Sequence, residues 1–387
     1  MTIQNQYLES QNALQAQWLS ALKKIHAQTP FQLYDVELAR KNVQSLKKHL
    51  PDIEVYYAIK SAFEPQLIAA IDDLVAGYDI ASYGECELLR SQGVATDRML
   101  YSNPVKVPDH IKQASRVGVK WYAFDSHTEI KKLADHAPGS NVYLRIEVSD
   151  YGSKFPLSQK FGVDPMHAVL YAGEAQDHGL QVRGVTFHAG SQSEHPKTWE
   201  TALKTCGEVV QRVRAAGIPM DVVNLGGGFP VEYTDSIASS EEIAEVIAGA
   251  IKKHLPKDIR LFCEPGRFIT ANTAVIATQI IGREHRGSDE WLFLDMGVFQ
   301  GLIEPLEMSG WKYPIFTDQK ASSIDDFKHF TLTGPTCDAY DTLGFNYLLP
   351  ANLTVGDKLY IGTAGAYTTV YGSNFNGFDP PTIHFTD

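Results

Sequence analysis

Residues 181–230 read QVRGVTFHAGSQSEHPKTWETALKTCGEVVQRVRAAGIPMDVVNLGGGFP. The stretch opens on an apolar, β-branched run at Val182–His188 and turns through small residues. It takes on helical periodicity over Trp199–Ala216, then returns to an apolar run at Asp221–Leu225 that empties into three glycines. Strand, helix and strand in that order describe a β–α–β unit with a parallel pair of strands. The same alternation continues on both sides. Further strands are expected at Val55–Ile59, Gly77–Ala81, Met99–Ser102, Trp121–Asp125, Val142–Val148 and Arg260–Glu264. Helical periodicity lies between them at Glu64–Asp72, Glu85–Gln92, His127–His136, Met166–His178 and Glu241–Lys253. Eight strands alternating with helices predict an α/β fold of the (β/α)8, TIM-barrel type.

Beyond about residue 270 the character changes. The runs Ala274–Ile281, Glu290–Asp295, Lys328–Thr333 and Lys358–Thr363 have no regular helices between them, and a turn signal appears at Asn376-Gly377. This reads as an all-β C-terminal domain. The segment Phe31–Val36 (FQLYDV) also reads as a strand and is expected to join it. The expected division is therefore a barrel over 37–269 and a β domain, sandwich or barrel, from 1–36 plus 270–387. Leu14, Trp18, Leu22 and Ile25 fall at helical spacing and predict an N-terminal amphipathic helix packed on the body.

At 387 residues the chain exceeds the usual size of a single core, which agrees with two domains. A hydrophobic content of 44% with no run near the roughly 20 apolar residues of a membrane span points to a globular protein. The first residues lack a basic stretch followed by an apolar one, so no signal peptide is read and a cytoplasmic location is expected. A net charge of −12 argues against nucleic acid and anionic membrane surfaces as partners. Cys86, Cys206, Cys263 and Cys337 are far apart with no CxxC pair, so neither a structural zinc site nor a disulfide framework is expected, and no metal.

A barrel of this type carries its active site at the C-terminal ends of the strands. Lys60 follows the first strand and Asp79 lies at the end of the second. Arg145 sits in the fifth, and His188-Ala189-Gly190-Ser191 follow the sixth. Gly226-Gly227-Gly228 follow the seventh, and Glu264-Pro265-Gly266-Arg267 the eighth. Any one of these has an ordinary explanation as a solvated lysine, loop punctuation, a core histidine or a Glu264–Arg267 ion pair. Their collection at one rim does not. A partly desolvated lysine has a lowered pKa and forms imines. Gly226–Gly228 and Gly266 let backbone N–H groups approach an anion. The spacing is not the GxGxxG dinucleotide pattern, since Phe229-Pro230 follow at once. Glu264 suits a protonated pyridine nitrogen, and His188 offers a flat face for ring stacking. A second cluster, Gly334-Pro335-Thr336-Cys337-Asp338-Ala339-Tyr340-Asp341 and Gly365-Ala366-Tyr367-Thr368, falls in the β domain. Taken alone, its cysteine and acids are a buried thiol and loop carboxylates.

The ordered set YYAIK, FHAGS, LGGGF, EPGR, GPTCD and GAYT, spanning nearly the whole chain to FNGF at Phe375–Phe378, resembles the fold type III pyridoxal-phosphate (PLP) decarboxylases. These include ornithine, lysine, diaminopimelate and arginine decarboxylases, built on the alanine-racemase-like fold. The resemblance implies PLP as cofactor, with Lys60 as its Schiff-base lysine, His188 stacked on the ring and Glu264 on the pyridine nitrogen. It places Ser191, Gly228, Gly266, Arg267 and Tyr367 at the phosphate, with Gly226 and Gly227 in the same cofactor-binding run, and Arg145 and Asp79 near the ring and the lysine. It further implies a homodimer with shared active sites. Cys337 would come from the partner subunit to guide protonation of the decarboxylated carbon, and Asp338 would bind the distal amine of the substrate. Lys160 (in QKFG) and Asp341 match positions that meet at the dimer interface.

The cousin alanine racemases place an arginine at the pyridine nitrogen, so Glu264 favours decarboxylation. Asp338 after Cys337 resembles the ornithine/lysine type, whereas diaminopimelate decarboxylases read Cys-Glu there. One departure concerns the Tyr-Asp pair that eukaryotic ornithine decarboxylases carry about 30 residues before the cysteine. Here the region reads GLIEPLEMSGWKYP, with Glu304, Glu307 and Met308 nearby and Glu307 the substitute ligand. The expected substrate is L-ornithine, giving putrescine for polyamine synthesis, with L-lysine next. Two alternatives stand beside it. One is a decarboxylase of diaminopimelate or a conjugated diamino acid in siderophore synthesis. The other is an inactive regulatory homologue, against which Lys60, His188, Glu264, Arg267, Cys337 and Tyr367 all speak by being present.

Overall fold

Eight parallel strands close on themselves in the computed structural model, which describes residues 3–308, 310–319 and 324–386. They are Ile53–Ala58, Gly77–Ile80, Met99–Tyr101, Trp121–Phe124, Asn141–Arg145, Gln181–Thr186, Val222–Asn224 and Arg260–Cys263. The ring closes where Leu261 pairs with Ile53 and Cys263 with Val55. Each strand matches one expected from the sequence, shortened where the chain turns out onto the rim. Strands this short and buried on nearly every residue suit a parallel barrel, because crossover helices cover their outer faces. The helix Pro196–Ala215 shows how: Trp199, Ala202, Leu203, Cys206, Val209, Val210 and Val213 recur at three- and four-residue intervals and are all buried. Ser82, Ser126 and Ser239 cap the helices beginning at Tyr83, His127 and Ser240 by accepting from the N–H three residues on. Two helices not expected from the sequence, Val36–His49 and Pro108–Arg116, complete the alternation.

The chain divides into two units: 40–230 with 237–269, and 1–39 with 231–236 and 270–387. This moves the segment 231–236 out of the expected barrel range. The cause is aromatic, since the Tyr233 ring packs on Trp311 with centroids 4.3 Å apart and on Tyr313 at 6.0 Å.

The second unit is an eight-stranded sheet whose spine is the strand Ala274–Arg286. The first half of that strand pairs with Phe31–Tyr34 and with Lys358–Ile361, and the second half with Asp289–Leu294, across an irregularity at Ile280–Gly282. Phe31–Tyr34 also pairs, in parallel, with Thr382–Phe385. Ile315–Thr317 and Thr342–Pro350, not expected from the sequence, complete the sheet with Phe327–Thr333. The Asn376-Gly377 turn makes no hairpin but closes a single turn of 3-10 helix. The N-terminal helix Ile3–Leu22 puts Trp18 and Leu22 into a core with Phe31, Leu33, Val275, Phe316 and Tyr360, and Leu14 and Ile25 pack on its margin.

Candidate active site

The strand ends place the site. Lys60 sits in a 3-10 turn, Ile59–Ser61, immediately after the first strand, and its Nζ donates to Asp79 Oδ2 at the end of the second. The lysine side chain keeps 42% of its exposure while that of Asp79 keeps 1%. The carboxylate is thus buried beneath an amine that still faces the opening. Asp79 Oδ1 is buried and has no hydrogen-bond partner, which leaves an acceptor to spare in the barrel mouth.

Glu264 follows the eighth strand and is buried. Two donors converge on its Oε1: Asn224 Nδ2 at 2.6 Å from the end of the seventh strand, and the Ser102 hydroxyl from the end of the third. Ser102 Oγ in turn lies 2.6 Å from the Tyr143 hydroxyl. Burial, reinforced by the negative Asp79, pushes the Glu264 carboxyl up to about 7, while Lys60, Ser102 and Asn224 pull the other way. Glu264 is therefore poised to exchange a proton near neutrality.

His188 accepts from the Gly190 N–H at Nδ1, 3.1 Å away, so its neutral form carries the proton on Nε2. Burial first, then the charges of Arg145 and Lys60, holds it well below the ordinary histidine range. It presents a neutral ring. The glycines wrap beside it. Gly226 and Gly228 have φ of +63° and +108°, and a Cβ on either would strike the Phe187 or Gly190 carbonyl. A Cβ on Gly227 would press on His188 Nε2 and the Glu264 carbonyl. Arg267 is buried, with Nε and Nη2 each 3.4 Å from Ser191 Oγ and its guanidinium 5.4 Å from the Phe155 ring centre. Ser191–Ser193 and Ser153–Phe155 form a small antiparallel ribbon that supplies both contacts. Arg145 lies over the Phe161 ring at 4.9 Å.

With this geometry the comparisons with known proteins agree. Residues 36–271 match the family described as pyridoxal-dependent decarboxylase, pyridoxal binding domain. The chain belongs to the pyridoxal-dependent decarboxylases. It is 33% identical to a lysine/ornithine decarboxylase of Selenomonas ruminantium, over 93% of this chain and 90% of the relative. Among solved structures it resembles SrLDC in complex with PLP and cadaverine, with a TM-score of 0.85, 32% identity and coverage of 93% and 91% of the two chains. It equally resembles the lysine/ornithine decarboxylase of Vibrio vulnificus complexed with putrescine, at a TM-score of 0.85 and 29% identity over 95% and 96%.

The donor set of this decarboxylase suits PLP. A lysine amine held against a buried carboxylate suits its aldehyde, a glycine cradle that any Cβ would fill and a buried arginine beside a serine hydroxyl suit its phosphate, and a buried carboxyl near 7 suits its pyridine nitrogen. Lys60, Asp79, Arg145, His188, Ser191, Gly226–Gly228, Glu264, Gly266 and Arg267 all lie in the barrel unit. No helix among the described residues is long and apolar enough to cross a membrane, and none of them cluster as a metal site.

The remaining expected residues lie in the β domain. Cys337 is exposed, its backbone N–H and Sγ 3.3 and 3.4 Å from Asn376 Oδ1. Asp338 is half-buried and accepts from the Tyr340 N–H at 2.8 Å. Asp341 is fully buried in its own domain. Its two oxygens accept from Val298 N at 2.9 Å and Thr336 N at 3.0 Å, which fastens the GPTCD turn to the domain. Lys160, its expected partner, is an exposed barrel residue whose Nζ lies 5.1 Å from the Phe161 ring centre. Tyr367 holds a φ of +55°, unusual for a residue with a side chain. Glu307 is exposed at the end of the helical turn Glu304–Glu307, whereas Glu304 is buried and accepts from the Tyr313 hydroxyl at 3.1 Å.

Sequence reasoning missed four residues of the mouth: Ser102, Asn224, Tyr143 and Glu85. Glu85 accepts from the Ala81 N–H, and burial raises its carboxyl pKa. The one available signal was position, because Ser102 and Asn224 end strands just where the site residues do.

Proposed function

We propose that this decarboxylase acts on L-ornithine, with L-lysine as a second substrate, and that Lys60 holds the PLP. Decarboxylation of a basic amino acid agrees with the relatives named above. The observation that carries the site assignment is the convergence of Lys60, Asp79, His188, Glu264 and Arg267 on one barrel mouth, with Lys60 hydrogen-bonded to a buried carboxylate.

Bound PLP supplies a conjugated ring that accepts the electron pair left at the substrate α-carbon when CO2 departs. The protein does the rest. Asp79 pairs with the Lys60 ammonium and would hold that side chain at the mouth, where the amine would meet the cofactor. His188, neutral, covers one ring face without adding charge to it. Glu264, fed by Asn224 and Ser102, holds the proton at the ring nitrogen, where removing it weakens the electron sink. Arg267, Ser191 and the glycine backbone, with Gly266 and Tyr367, anchor the phosphate. Arg145 adds a second positive charge beside the ring.

Cys337 delivers the proton to the α-carbon, and Asp338 binds the distal ammonium, both from a partner subunit. The exposure of Cys337 supports this, since a thiol at the surface of its own chain is available to another. Mixing inactive Lys60→Ala and Cys337→Ala proteins then restores activity to roughly a quarter of wild type, because random pairing leaves half of the dimers mixed, each with one intact site. Failure to recover, once subunit exchange is demonstrated, counts against shared sites.

A conjugated diamino acid is the second reading. It is favoured by the stretch GLIEPLEMSGWKYP, where the exposed Glu307 stands in place of an aspartate and its extra methylene changes the depth at the distal group. CO2 release from the PLP-loaded protein with L-ornithine, L-lysine, L-arginine and meso-diaminopimelate decides. Preference for ornithine or lysine supports the first reading. Silence on all four, with cofactor bound, favours the second.

A further inference from the structure

The groups that load Glu264 on one oxygen lie outside the expected constellation. Ser102 ends the third strand, and its hydroxyl both donates to Glu264 Oε1 and lies 2.6 Å from the Tyr143 hydroxyl. A hydroxyl has one proton. With that proton committed to the carboxylate, Ser102 accepts from Tyr143, and the donors run one way, from Tyr143 to Ser102 to Glu264. Asn224 is oriented independently, because its Oδ1 accepts from the Gly226 N–H at 2.9 Å and so turns its NH2 toward Glu264. Tyr143 is fully buried, and burial together with nearby Glu264 holds its proton firmly, which makes it a permanent donor.

The loop behind Ser102 is also fixed. The Lys106 ammonium is buried and donates to Ala123 O at 2.6 Å and to Glu129 Oε1 at 3.0 Å. Lys132 Nζ bonds the carbonyl of Lys106 at 2.5 Å. The Asn103 amide bridges Ala81 O and Val105 O. A hydroxyl held this rigidly is aimed at its carboxylate rather than passing near it.

We propose that Ser102, backed by Tyr143, is a positioning residue that sets how the shared proton divides between Glu264 and the ring nitrogen of bound PLP. This rests on the assignment of Glu264 to that nitrogen. Each donor stabilises the ionised carboxylate and makes it a weaker base. A weaker base leaves the proton on the ring, where it is needed. Removing the Ser102 hydroxyl strengthens Glu264 as a base and draws the proton off the ring. The other charged or titratable groups that act on Glu264 stay in place: Lys60 after the first strand, Asp79 on the second, Tyr143 and Arg145 on the fifth, and Cys263 beside it.

The test uses the PLP-loaded protein with an isotope label on the ring nitrogen, its NMR chemical shift read alongside the cofactor dissociation constant, kcat and KM. Ser102→Ala should move the ring nitrogen toward its unprotonated shift and lower kcat roughly 5- to 30-fold, with KM within about twofold. Ser102→Thr, which keeps the hydroxyl, should retain the wild-type shift, and Tyr143→Phe should move it the same way by less. A wild-type shift in Ser102→Ala, where Glu264→Gln does move it, overturns the proposal. If Glu264→Gln also leaves the shift unchanged, the assignment of Glu264 itself falls. Should Ser102→Ala fail to hold cofactor, Tyr143→Phe decides, and an unmoved ring nitrogen there overturns the proposal.

Discussion

At the N-terminal end of the barrel strands, Arg183 faces Asp221, Arg214 faces Asp258, Arg260 faces Glu54 and Arg98 faces Asp72. Every one of these ion pairs is partly exposed, and every charge has its opposite within reach. At the C-terminal end, Asp79 and Glu264 are buried together, one with an oxygen lacking any partner and the other pushed up to about 7. There His188 is held neutral by burial and by the cations around it, and Arg267 is buried against a hydroxyl and a phenyl ring. One end has exposed charges that satisfy each other, and the other buries two carboxylates close together with an Asp79 oxygen left over. Structural ion pairs perturb proton affinities little when exposed, whereas unbalanced burial perturbs them strongly, and such perturbation gathers at functional sites.

The largest effect that can break this contrast is at Lys60. Lys60→Ala should lower turnover by at least about 10³-fold, and borohydride should fix cofactor to the wild-type chain but not to the variant, read by intact mass. A variant that keeps normal turnover removes the central assignment. Next in size is Lys106, the balanced exception at the same end of the barrel. It is fully buried, and burial draws its ammonium down to about 8 even with Glu129 against it. Lys106→Met should cost about 3 kcal/mol in urea unfolding of the apo-protein, because Glu129 stays buried after losing a partner. A loss under about 1 kcal/mol would mean that Lys132 alone satisfies Glu129.

How much of this was legible in the sequence follows from the same physics. The barrel strands were readable because each is a short apolar run punctuated by glycine or a polar residue at the rim, and eight such runs fit few other folds. Lys60, Glu264 and the triple glycine were readable because charge or glycine straight after an apolar run is unusual, whereas Arg267 gained its role only from the likeness of EPGR to the family motif. Ser102 and Asn224 are ordinary strand-end residues. Their meaning appears only when barrel closure brings position 102 against 264, a separation that no local pattern encodes. The helix Pro108–Arg116 went unread because only Ile111 and Ala114 are buried, too thin a stripe to announce a period. The strand Thr342–Pro350 is interrupted by Asn346 at a φ of +58°, which spoils its alternation. Asp341 looked like a surface acid because a carboxylate in a turn usually is one. Here it is the bolt that holds that turn.

The unbalanced end should also betray itself in the pH dependence of stability. Glu264 binds its proton more tightly folded than unfolded, so between its ordinary value near 4.5 and about 7 the folded apo-protein holds a proton that the unfolded chain has lost. Stability from this group is full below that window and is lost as pH rises through it, by up to about 1.4 kcal/mol per pH unit. His188 runs the other way. Its folded value is depressed, so its contribution is present above 6.5 and is lost as pH falls below it. Both proteins of a wild-type and Glu264→Gln pair keep His188, so the difference between their urea midpoints isolates the glutamate. The wild type should lose ground to the variant as pH is raised from about 4.5 to 7. A difference that stays flat across that range would mean Glu264 is not buried unbalanced, and the two ends of the barrel would then differ less than they seem to.

The smallest expected effect lies at the other end. The guanidinium of Arg183 reaches Asp221 with two nitrogens, Nε at 3.0 Å and Nη2 closer still, and passes over the Trp121 ring at 5.9 Å. That fork geometry is the best an exposed pair can adopt, yet both side chains keep more than a third of their exposure. Solvent screening and the entropy of holding a long side chain leave such a pair about 1 kcal/mol at most. Arg183→Gln should cost no more than that in urea unfolding, and the difference should shrink further in about 1 M salt, where charges are screened within about 3 Å. Cofactor affinity and kcat should be unchanged, because nothing in the mouth depends on this pair for its charge. A tenfold fall in turnover would show that the barrel floor helps set the strand ends above it, and the two ends would have to be treated as one device.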